Sequence, residues 1–269
     1  MLVSTEWLAS HLNDPNLVVL SVGPKAEYDK AHIPGAQYID MPMISAKDSK
    51  LTLQMPPTDE LERTFRTLGV SNDTRVILYS IAPTPQSTTR VYLTLDAMGL
   101  GRSVSLLDGG FGVWKSEGRQ LTAEVRPVKA GTIQACPRED VVADLAFVAA
   151  NTGHDGVHIV DARLNTYYTG EQIPPAQRAG HIPGAASVPF NSLVDESGKF
   201  RTADDLRSIL AAAGIKPGEQ VVSYCHVGQQ ATVVYFVARY LGFDARMFDG
   251  SWQEYSQHTE LPASTGSKP

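Results

Sequence analysis

A duplication constrains this chain more than any other feature. The segment AHIPGA at Ala31–Ala36 recurs as GHIPGA at Gly180–Ala185, 149 residues further along. Three more pairs match in the same order: Leu17–Leu20 with Val157–Val160, Val76–Tyr79 with Val221–Tyr224, and Leu107–Phe111 with Phe248–Trp252. Four matches in one order indicate a tandem repeat, so the chain is expected to fold as two copies of one domain.

Each copy alternates strand and helix patterns. In the first copy, Leu61, Phe65 and Leu68 recur at helical spacing, and Gly69 follows at the position where helices end. In the second copy, Thr202–Asp205 has the pattern of a capping box at a helix start. Short apolar strands between such helices indicate a parallel sheet covered on both faces. We therefore predict an α/β fold with two similar domains.

The domain boundaries follow from composition and length. A chain of 269 residues suits two domains of ordinary size. Residues 119–138 are rich in Pro, Lys, Gly and Arg, with their centre at Arg126–Gly131. We predict an N-terminal domain at 1–118, a linker at 119–138 and a C-terminal domain at 139–269.

Charge and hydropathy exclude several kinds of partner. The net charge is −6 and no run of Lys or Arg is present, which argues against nucleic acid and anionic membranes. No apolar stretch approaches the roughly 20 residues that span a bilayer. The N-terminus has no basic segment of a signal peptide, so we expect a cytoplasmic protein. Two cysteines do not make a disulfide framework, and no metal site is suggested.

The segment that carries chemistry is Cys225–Gln230, with the sequence CHVGQQ, which we call the thiol loop. It lies between the apolar run Val221–Tyr224, a predicted strand, and Val233–Leu241, a predicted helix buried on most sides. Ligands of α/β sheets bind where strands give way to helices. The N–H groups of such a loop and of the first helical turn favour an anion, such as a thiolate.

Two interpretations of Cys225 are open. A lone cysteine is most often a small buried hydrophobic residue. The polar neighbours His226, Gln229 and Gln230 instead favour a nucleophile. The matching position of the first copy is Ser80, in a loop that is two residues longer and interrupted by proline. We predict that only the second copy is catalytic and that Cys225 is its nucleophile.

The residues around Cys225 argue against the best-known cysteine chemistries. A protease needs a partnered base, and His226 is adjacent in a segment that turns into a helix. A phosphatase needs an arginine in the loop, but Ala231 stands there and residues 224–238 hold no Arg or Lys. A dithiol needs a second cysteine where Gly228 stands. Single-thiol chemistry on a small electrophile remains.

The motifs together resemble the tandem-domain rhodanese family of thiosulfate and 3-mercaptopyruvate sulfurtransferases. They are HIPGA in both copies, the strand–Cys–loop–helix and the DGSW segment Asp249–Trp252, and the likeness extends from Val3 to about Tyr255. The resemblance implies two rhodanese-like domains, each a parallel five-stranded sheet with helices on both faces. It implies that Cys225 takes a sulfane sulfur, becomes a persulfide and passes the sulfur to cyanide or a thiol, without a cofactor.

The resemblance also implies a cation for the anionic sulfur donor. Asp161–Arg163 resembles the family's Asp-x-Arg, whose arginine faces the cysteine and binds the donor. The alternative is an Asp161–Arg163 ion pair without a ligand role. Arg178 is a second candidate cation, or else a solvated loop charge. The first copy has Ser21 and Gly23 at the corresponding positions.

The thiol loop also bears on the donor. We expect His226, Val227, Gly228, Gln229 and Gln230 to line the substrate site. Val227 replaces both the cation of vertebrate thiosulfate enzymes and the serine of mercaptopyruvate enzymes. The loop resembles bacterial proteins assigned to thiosulfate, so thiosulfate is the favoured donor and 3-mercaptopyruvate the alternative.

Further alternatives and expectations concern the molecule as a whole. A phosphatase relative of the same fold and a non-enzymatic sulfur-relay or binding module remain as other functions. We expect a monomer, since two domains already bury the surface that one domain would pair through. His32 and His181 occur in both copies and are expected to fix a turn. Cys136 is expected to be a small hydrophobic residue without chemistry.

Overall fold

The helices and strands of the two copies follow one another in the same order. The structure, a computed structural model, describes residues 1–269. The first copy contains β1 (Leu2–Val3), α1 (Thr5–His11), β2 (Leu17–Val22), α2 (Lys25–Lys30), β3 (Gln37–Ile39), α3 (Thr58–Thr67), β4 (Arg75–Ser80), α4 (Gln86–Ala97), β5 (Val104–Leu107) and α5 (Gly110–Ser116). Short 3-10 helices lie at Met41–Ile44 and Gly101–Ser103.

The second copy repeats this order of strands and α-helices. It contains β6 (Val142–Ala143), α6 (Leu145–Asn151), β7 (Val157–Asp161), α7 (Asn165–Tyr168), β8 (Ala186–Ser187), α8 (Ala203–Ala212), β9 (Gln220–Tyr224), α9 (Ala231–Tyr240), β10 (Asp244–Phe248) and α10 (Ser251–Tyr255). One 3-10 helix lies at Phe190–Leu193. None of these helices has the length and hydrophobicity that crossing a bilayer requires.

Each copy builds one parallel five-stranded sheet. The strand orders are β1-β5-β4-β2-β3 and β6-β10-β9-β7-β8, so the two sheets have the same topology. In the second sheet β9 is central and pairs in parallel with β10 and β7. The predicted α/β fold of two similar sheets with helices is confirmed.

The local predictions from periodicity are also confirmed. α3 buries Leu61 and Phe65, and Gly69 follows it with φ of +83°. α8 begins after Thr202, whose side chain accepts from the Asp205 N–H. α9 is buried along Ala231–Ala238, because it packs between the sheet and the rest of its unit.

Two compact units divide the chain. The first comprises Met1–Lys47, Met55–Arg138 and Asp195–Phe200, and the second comprises Asp48–Gln54, Glu139–Val194 and Arg201–Pro269. A short segment of each copy thus belongs to the unit built mainly from the other copy. Residues 119–138, the predicted linker, belong to the first unit, where the Gly131 N–H donates to Arg66 O at 2.8 Å.

The repeated histidines hold turns, as predicted. His181 is fully buried, and its Nδ1 lies 2.8 Å from Tyr168 O while its ring stacks on Tyr168. His32 stacks on Tyr28 and bonds to that residue's carbonyl in the same way. The expectation for Cys136 is wrong, since this cysteine is exposed. Its segment lies on the surface and is attached through the main chain, with the Cys136 N–H donating to a carbonyl oxygen.

Candidate active site

Cys225 follows the central strand β9 and is 1% exposed. Its main chain is tied to α10, which follows the neighbouring strand β10. The Cys225 N–H donates to Ser251 Oγ at 3.2 Å, and Cys225 O accepts from the Trp252 N–H at 2.9 Å. The next carbonyl, His226 O, accepts from the Gln253 N–H at 3.0 Å. Three hydrogen bonds therefore fix the main chain of Cys225 and His226 to the start of α10.

The thiol loop between Cys225 and α9 contains unsatisfied main-chain donors. Gly228 has φ of +75°, a conformation that glycine adopts without steric cost. The N–H groups of His226, Val227 and Gln230 have no acceptor within the structure. Unsatisfied amides on a turn that enters a helix favour a negative charge, which is the charge that a thiolate or a persulfide carries.

Ser251 is a direct contact of Cys225 that sequence reasoning missed. It is fully buried, with φ of +50°, a left-handed conformation that costs a non-glycine residue about 1–2 kcal/mol. Its hydroxyl donates to Phe248 O at 2.9 Å and accepts from the Cys225 N–H. The signal was present in the alignment of the copies, because the first copy has Gly110 at this position.

Arg163 forms the ion pair that the alternative interpretation expects. Its side chain is 0% exposed, and Nη2 donates to Asp161 Oδ2 at 2.6 Å and to Gly180 O at 2.7 Å. Nε contacts both Asp161 oxygens at 3.0 and 3.1 Å. Nη1 is buried and has no partner. The Nη1 group of the guanidinium therefore takes no part in the ion pair and is free to donate.

Electrostatics connect Arg163 to the thiol. Burial by itself lowers the pKa of Arg163, but the Asp161 carboxylate raises it, and the nearby Tyr224 and Cys225 act in the same direction, so the net shift is upward. The guanidinium carbon also lies 4.8 Å from the ring centroid of Trp252. The arginine is thus a permanent buried cation beside Cys225.

His226 borders the same site from the thiol loop. Its ring meets the ring of Tyr167, in α7, edge to face at a centroid distance of 4.5 Å. Burial, and after it the charge of Arg163, lower the pKa of His226 to about 4, while the charge of Asp161 opposes the shift. His226 is therefore neutral at physiological pH and adds no charge for an anionic donor.

Arg178 lies in a different environment from the thiol loop. Nη1 donates to Leu261 O at 2.8 Å, and Nη2 donates to the carbonyls of Tyr255 and His258 at 3.2 and 3.3 Å. Its guanidinium carbon lies 5.9 Å from the Trp252 ring centroid, on which Arg163 also packs. These carbonyls give Arg178 a role in holding the C-terminal segment.

The remaining loop residues are partly accessible. Val227, Gln229 and Gln230 are half-buried, while Gly228 is buried. The Gln230 side-chain oxygen is buried without a hydrogen-bond partner. No group of three His, Cys, Asp or Glu side chains is placed to hold a metal ion. The site therefore consists of a thiol, main-chain amides, a buried arginine and amide side chains.

Comparison with known proteins places this arrangement in a family. The rhodanese-like domain matches residues 4–117 and 145–258. The chain is 33% identical to the sulfur carrier protein TtuD of Thermus thermophilus, over 99% of this chain and 97% of that protein. It is 31% identical to a putative thiosulfate sulfurtransferase of Mycolicibacterium smegmatis, over 99% and 98%. The structure of SseA from Escherichia coli, a 3-mercaptopyruvate sulfotransferase, matches with TM-score 0.84 and 28% identity over 93% and 98%.

Two rhodanese-like domains, each with a parallel sheet, and one thiol loop define a tandem-domain sulfurtransferase. The chain belongs to the rhodanese family. Its relatives include proteins named for thiosulfate and for 3-mercaptopyruvate, so sulfur transfer is the class of its activity and the donor is a separate question.

Proposed function

We propose that this protein moves a sulfane sulfur from thiosulfate to cyanide or a thiol through a persulfide on Cys225. The observation that carries the proposal is the position of Cys225 after the central strand. There two hydrogen bonds fix its main chain and a third fixes that of His226, and it borders unsatisfied loop amides and lies beside the buried cation Arg163. In this proposal the second unit is catalytic, and the first unit, with Ser80 at the matching position, is not.

The first half-reaction is a displacement at sulfur. The Cys225 thiolate attacks the outer sulfur of thiosulfate, a new S–S bond forms, and the old S–S bond breaks so that sulfite leaves with the electron pair. The product is a persulfide whose outer sulfur is the reactive atom. The N–H groups of His226, Val227 and Gln230 are suited to stabilise the negative charge on this sulfur.

The second half-reaction returns the enzyme to its starting state. Cyanide attacks the outer sulfur and leaves as thiocyanate, or a thiolate attacks it and leaves as a persulfide, and in both cases Cys225 recovers its electron pair. Splitting the transfer in this way predicts ping-pong kinetics. Burial of Cys225 supports the scheme, since a persulfide shielded from water is protected from side reactions.

Thiosulfate is favoured as donor by the relatives named for it, and the charges at the site are compatible with this choice. The dianion needs a cation, and Arg163 has a free buried N–H at Nη1. His226 is neutral and Val227 is apolar, so the loop offers no second charge. 3-Mercaptopyruvate is the alternative donor, because its carboxylate would address the same guanidinium. Arg178 remains a weaker candidate for this contact, since three carbonyls already hold it.

Mass spectrometry of the intact protein tests the covalent step. Incubation with thiosulfate should add the mass of one sulfur atom, and cyanide should remove it. The Cys225→Ala protein should add none, whereas Cys136→Ala, which removes the exposed cysteine, should behave like the unsubstituted protein. If the Cys225→Ala protein also gains the mass of one sulfur atom, the proposal is wrong.

Steady-state kinetics test the donor. We expect a higher kcat/KM with thiosulfate than with 3-mercaptopyruvate when cyanide is the acceptor. A preference for 3-mercaptopyruvate would keep the persulfide mechanism and reassign the donor.

A second candidate function is sulfur relay to a protein thiol. It is favoured by the relative that is named a sulfur carrier protein. In that role the persulfide would form on Cys225 in the same way. The persulfide would then be stable, and turnover with every small acceptor would be slow.

A further inference from the structure

A short segment of the first copy lies in the unit that contains the thiol loop. We call this segment, Asp48–Gln54, the strap. Its Thr52 N–H donates to Oε1 of Gln253 at 2.8 Å. Gln253 belongs to α10, and its own N–H donates to His226 O at 3.0 Å. One glutamine therefore holds the strap with its side chain and the thiol loop with its main chain.

The strap has a defined conformation of its own. The Leu51 N–H donates to Ser49 Oγ at 3.0 Å, and that hydroxyl donates to Gln54 Oε1 at 2.9 Å. Leu53 has φ of +59°, a left-handed conformation that a leucine adopts only when surrounding contacts hold it there. The strap is thus a fixed turn, and its hydrogen bond to Gln253 is one of the contacts that fix it.

The fastening is particular to the copy that contains the cysteine. The position of the first copy that matches Gln253 is Gly112, which has no side chain and borders open space. α5, which corresponds to α10, begins at Gly110 and forms no hydrogen bond to the Ser80 main chain. A side chain that can accept this hydrogen bond therefore occurs only in the copy that contains Cys225.

We propose that Gln253 is a positioning residue that fastens the strap beside the thiol loop, and that the fastened strap limits the size of the sulfur acceptor that reaches Cys225. The inference rests on the proposed function, since it concerns the second half-reaction. Cys225 is 1% exposed, so an acceptor must enter past the loops around it. Cyanide passes easily, whereas a tripeptide thiol such as glutathione needs the strap to move.

Three variants isolate the fastening. Gln253→Met keeps the length of the side chain but removes the acceptor for the Thr52 N–H. Gln253→Glu restores an acceptor. Gln257→Met is the matched control, because Gln257 lies just after α10 and its Nε2 donates to the main-chain oxygen of Gln253, at 2.8 Å, not to the strap.

Two measurements are expected to agree. With thiosulfate as donor, the ratio of kcat/KM for glutathione to kcat/KM for cyanide should rise about 2–10-fold in Gln253→Met, the factor that one lost hydrogen bond gives. Amide hydrogen exchange of the strap should speed up by a similar factor. Gln257→Met should leave the ratio and the exchange unchanged, and Gln253→Glu should return the exchange to that of the unsubstituted protein.

The outcomes separate this inference from the proposed function. If Gln253→Met forms its persulfide normally but its acceptor ratio and strap exchange match those of Gln257→Met, the inference is wrong and the proposed function stands. If the unsubstituted protein forms no persulfide with thiosulfate, the proposed function fails and acceptor selection fails with it.

Discussion

The loops after the two central strands start from the same place in the same topology and differ in how they are held. In the second unit, three hydrogen bonds tie Cys225 and His226 to the start of α10. In the first unit, Ser80 follows the same course, but its Oγ donates to Thr84 O, at 3.1 Å within its own loop. The proline-containing loop of the first unit is held by a hydrogen bond within the loop, at Ser80. The thiol loop is instead held by hydrogen bonds to α10, which leave its own N–H groups available.

The residues that surround the two loops also differ between the copies. Where the second copy has Arg163, the first has Gly23, and a Cβ added there would lie 3.1 Å from Ile81 Cβ. Where the second has Ser251, the first has Gly110, and a Cβ there would lie 2.8 Å from Ser80 O. In the first copy, the space that the side chains of Arg163 and Ser251 occupy in the second is therefore taken by its own loop.

The space left in the first copy supports this conclusion. The cavity beside Ser80 has a volume of about 20 Å³ and is also lined by Thr88, Gly198 and Phe200. That volume accommodates about one water molecule. Thiosulfate, with five heavy atoms, does not fit there.

Exchanging Cys225 and Ser80 between the two copies should have the largest effect on activity. Cys225→Ser should lower kcat by about 10³-fold or more, because the hydroxyl is a poor nucleophile and forms no persulfide. Ser80→Cys in the same chain should restore nothing, since the first copy lacks the arginine and the outside hydrogen bonds. Turnover of thiosulfate and intact mass measure both effects. Recovery of activity in the double variant would show that the thiol alone is sufficient.

Replacement of Arg163 by Lys should have the next largest effect. Lysine keeps the positive charge near Asp161 but loses the planar fork, and with it the free Nη1–H. A charged hydrogen bond contributes about 1.5–3 kcal/mol, so the KM for thiosulfate should rise roughly 10–100-fold with a smaller change in kcat. Steady-state kinetics measure the split.

The ion-pair interpretation makes a different prediction for the same variant. If Arg163 only neutralises Asp161, the Lys variant should lose stability in urea while KM for thiosulfate stays unchanged. Unfolding curves recorded beside the kinetics distinguish the two roles.

Ser251→Gly makes the second copy resemble the first at the turn behind the nucleophile. The substitution leaves the buried Cys225 N–H without its acceptor, at a cost of about 1–3 kcal/mol, while glycine relieves about 1 kcal/mol of left-handed strain. The net change in stability should therefore be small. We expect kcat to fall roughly tenfold, because the main chain of Cys225 loses one of its two hydrogen bonds to α10.

The reverse substitution is the control. Gly110→Ser places a Cβ 2.8 Å from Ser80 O, so the first unit should lose about 1–3 kcal/mol of stability while kcat is unchanged. If Ser251→Gly lowers stability without affecting kcat, the serine is only a structural part of its turn.

Sequence reasoning found the features that are local or repeated. Apolar spacing predicted α3 and α9, and the position of a polar loop after an apolar strand singled out Cys225. It missed the contacts of Ser251 and Gln253, because they join segments about 25 to 200 residues apart. No periodicity signals a serine in a left-handed turn. The duplication itself held the missing information, since both positions are glycine in the first copy.

The smallest expected effect concerns charge at the position after the nucleophile, where the first copy has Ile81 and the second has His226. Burial holds the folded-state pKa of His226 at about 4, below its ordinary value of 6.5. Between these values the unfolded chain binds a proton that the folded protein does not, so stability falls as the pH falls from about 6.5 to 4. His226→Gln removes this contribution, and urea unfolding at pH 6.5 and 4.5 should show a smaller loss in the variant.

Activity should respond differently from stability. Because His226 is already neutral from about pH 5.5 upward, His226→Gln should leave the shape of the kcat/KM profile for thiosulfate unchanged between pH 5.5 and 8. Arg163, whose pKa is raised, keeps its charge across the same range and is the proposed cation for the donor. An inflection near pH 6.5 that disappears in His226→Gln would mean that the histidine is charged in the working enzyme and that the second copy uses two cations where the first has none.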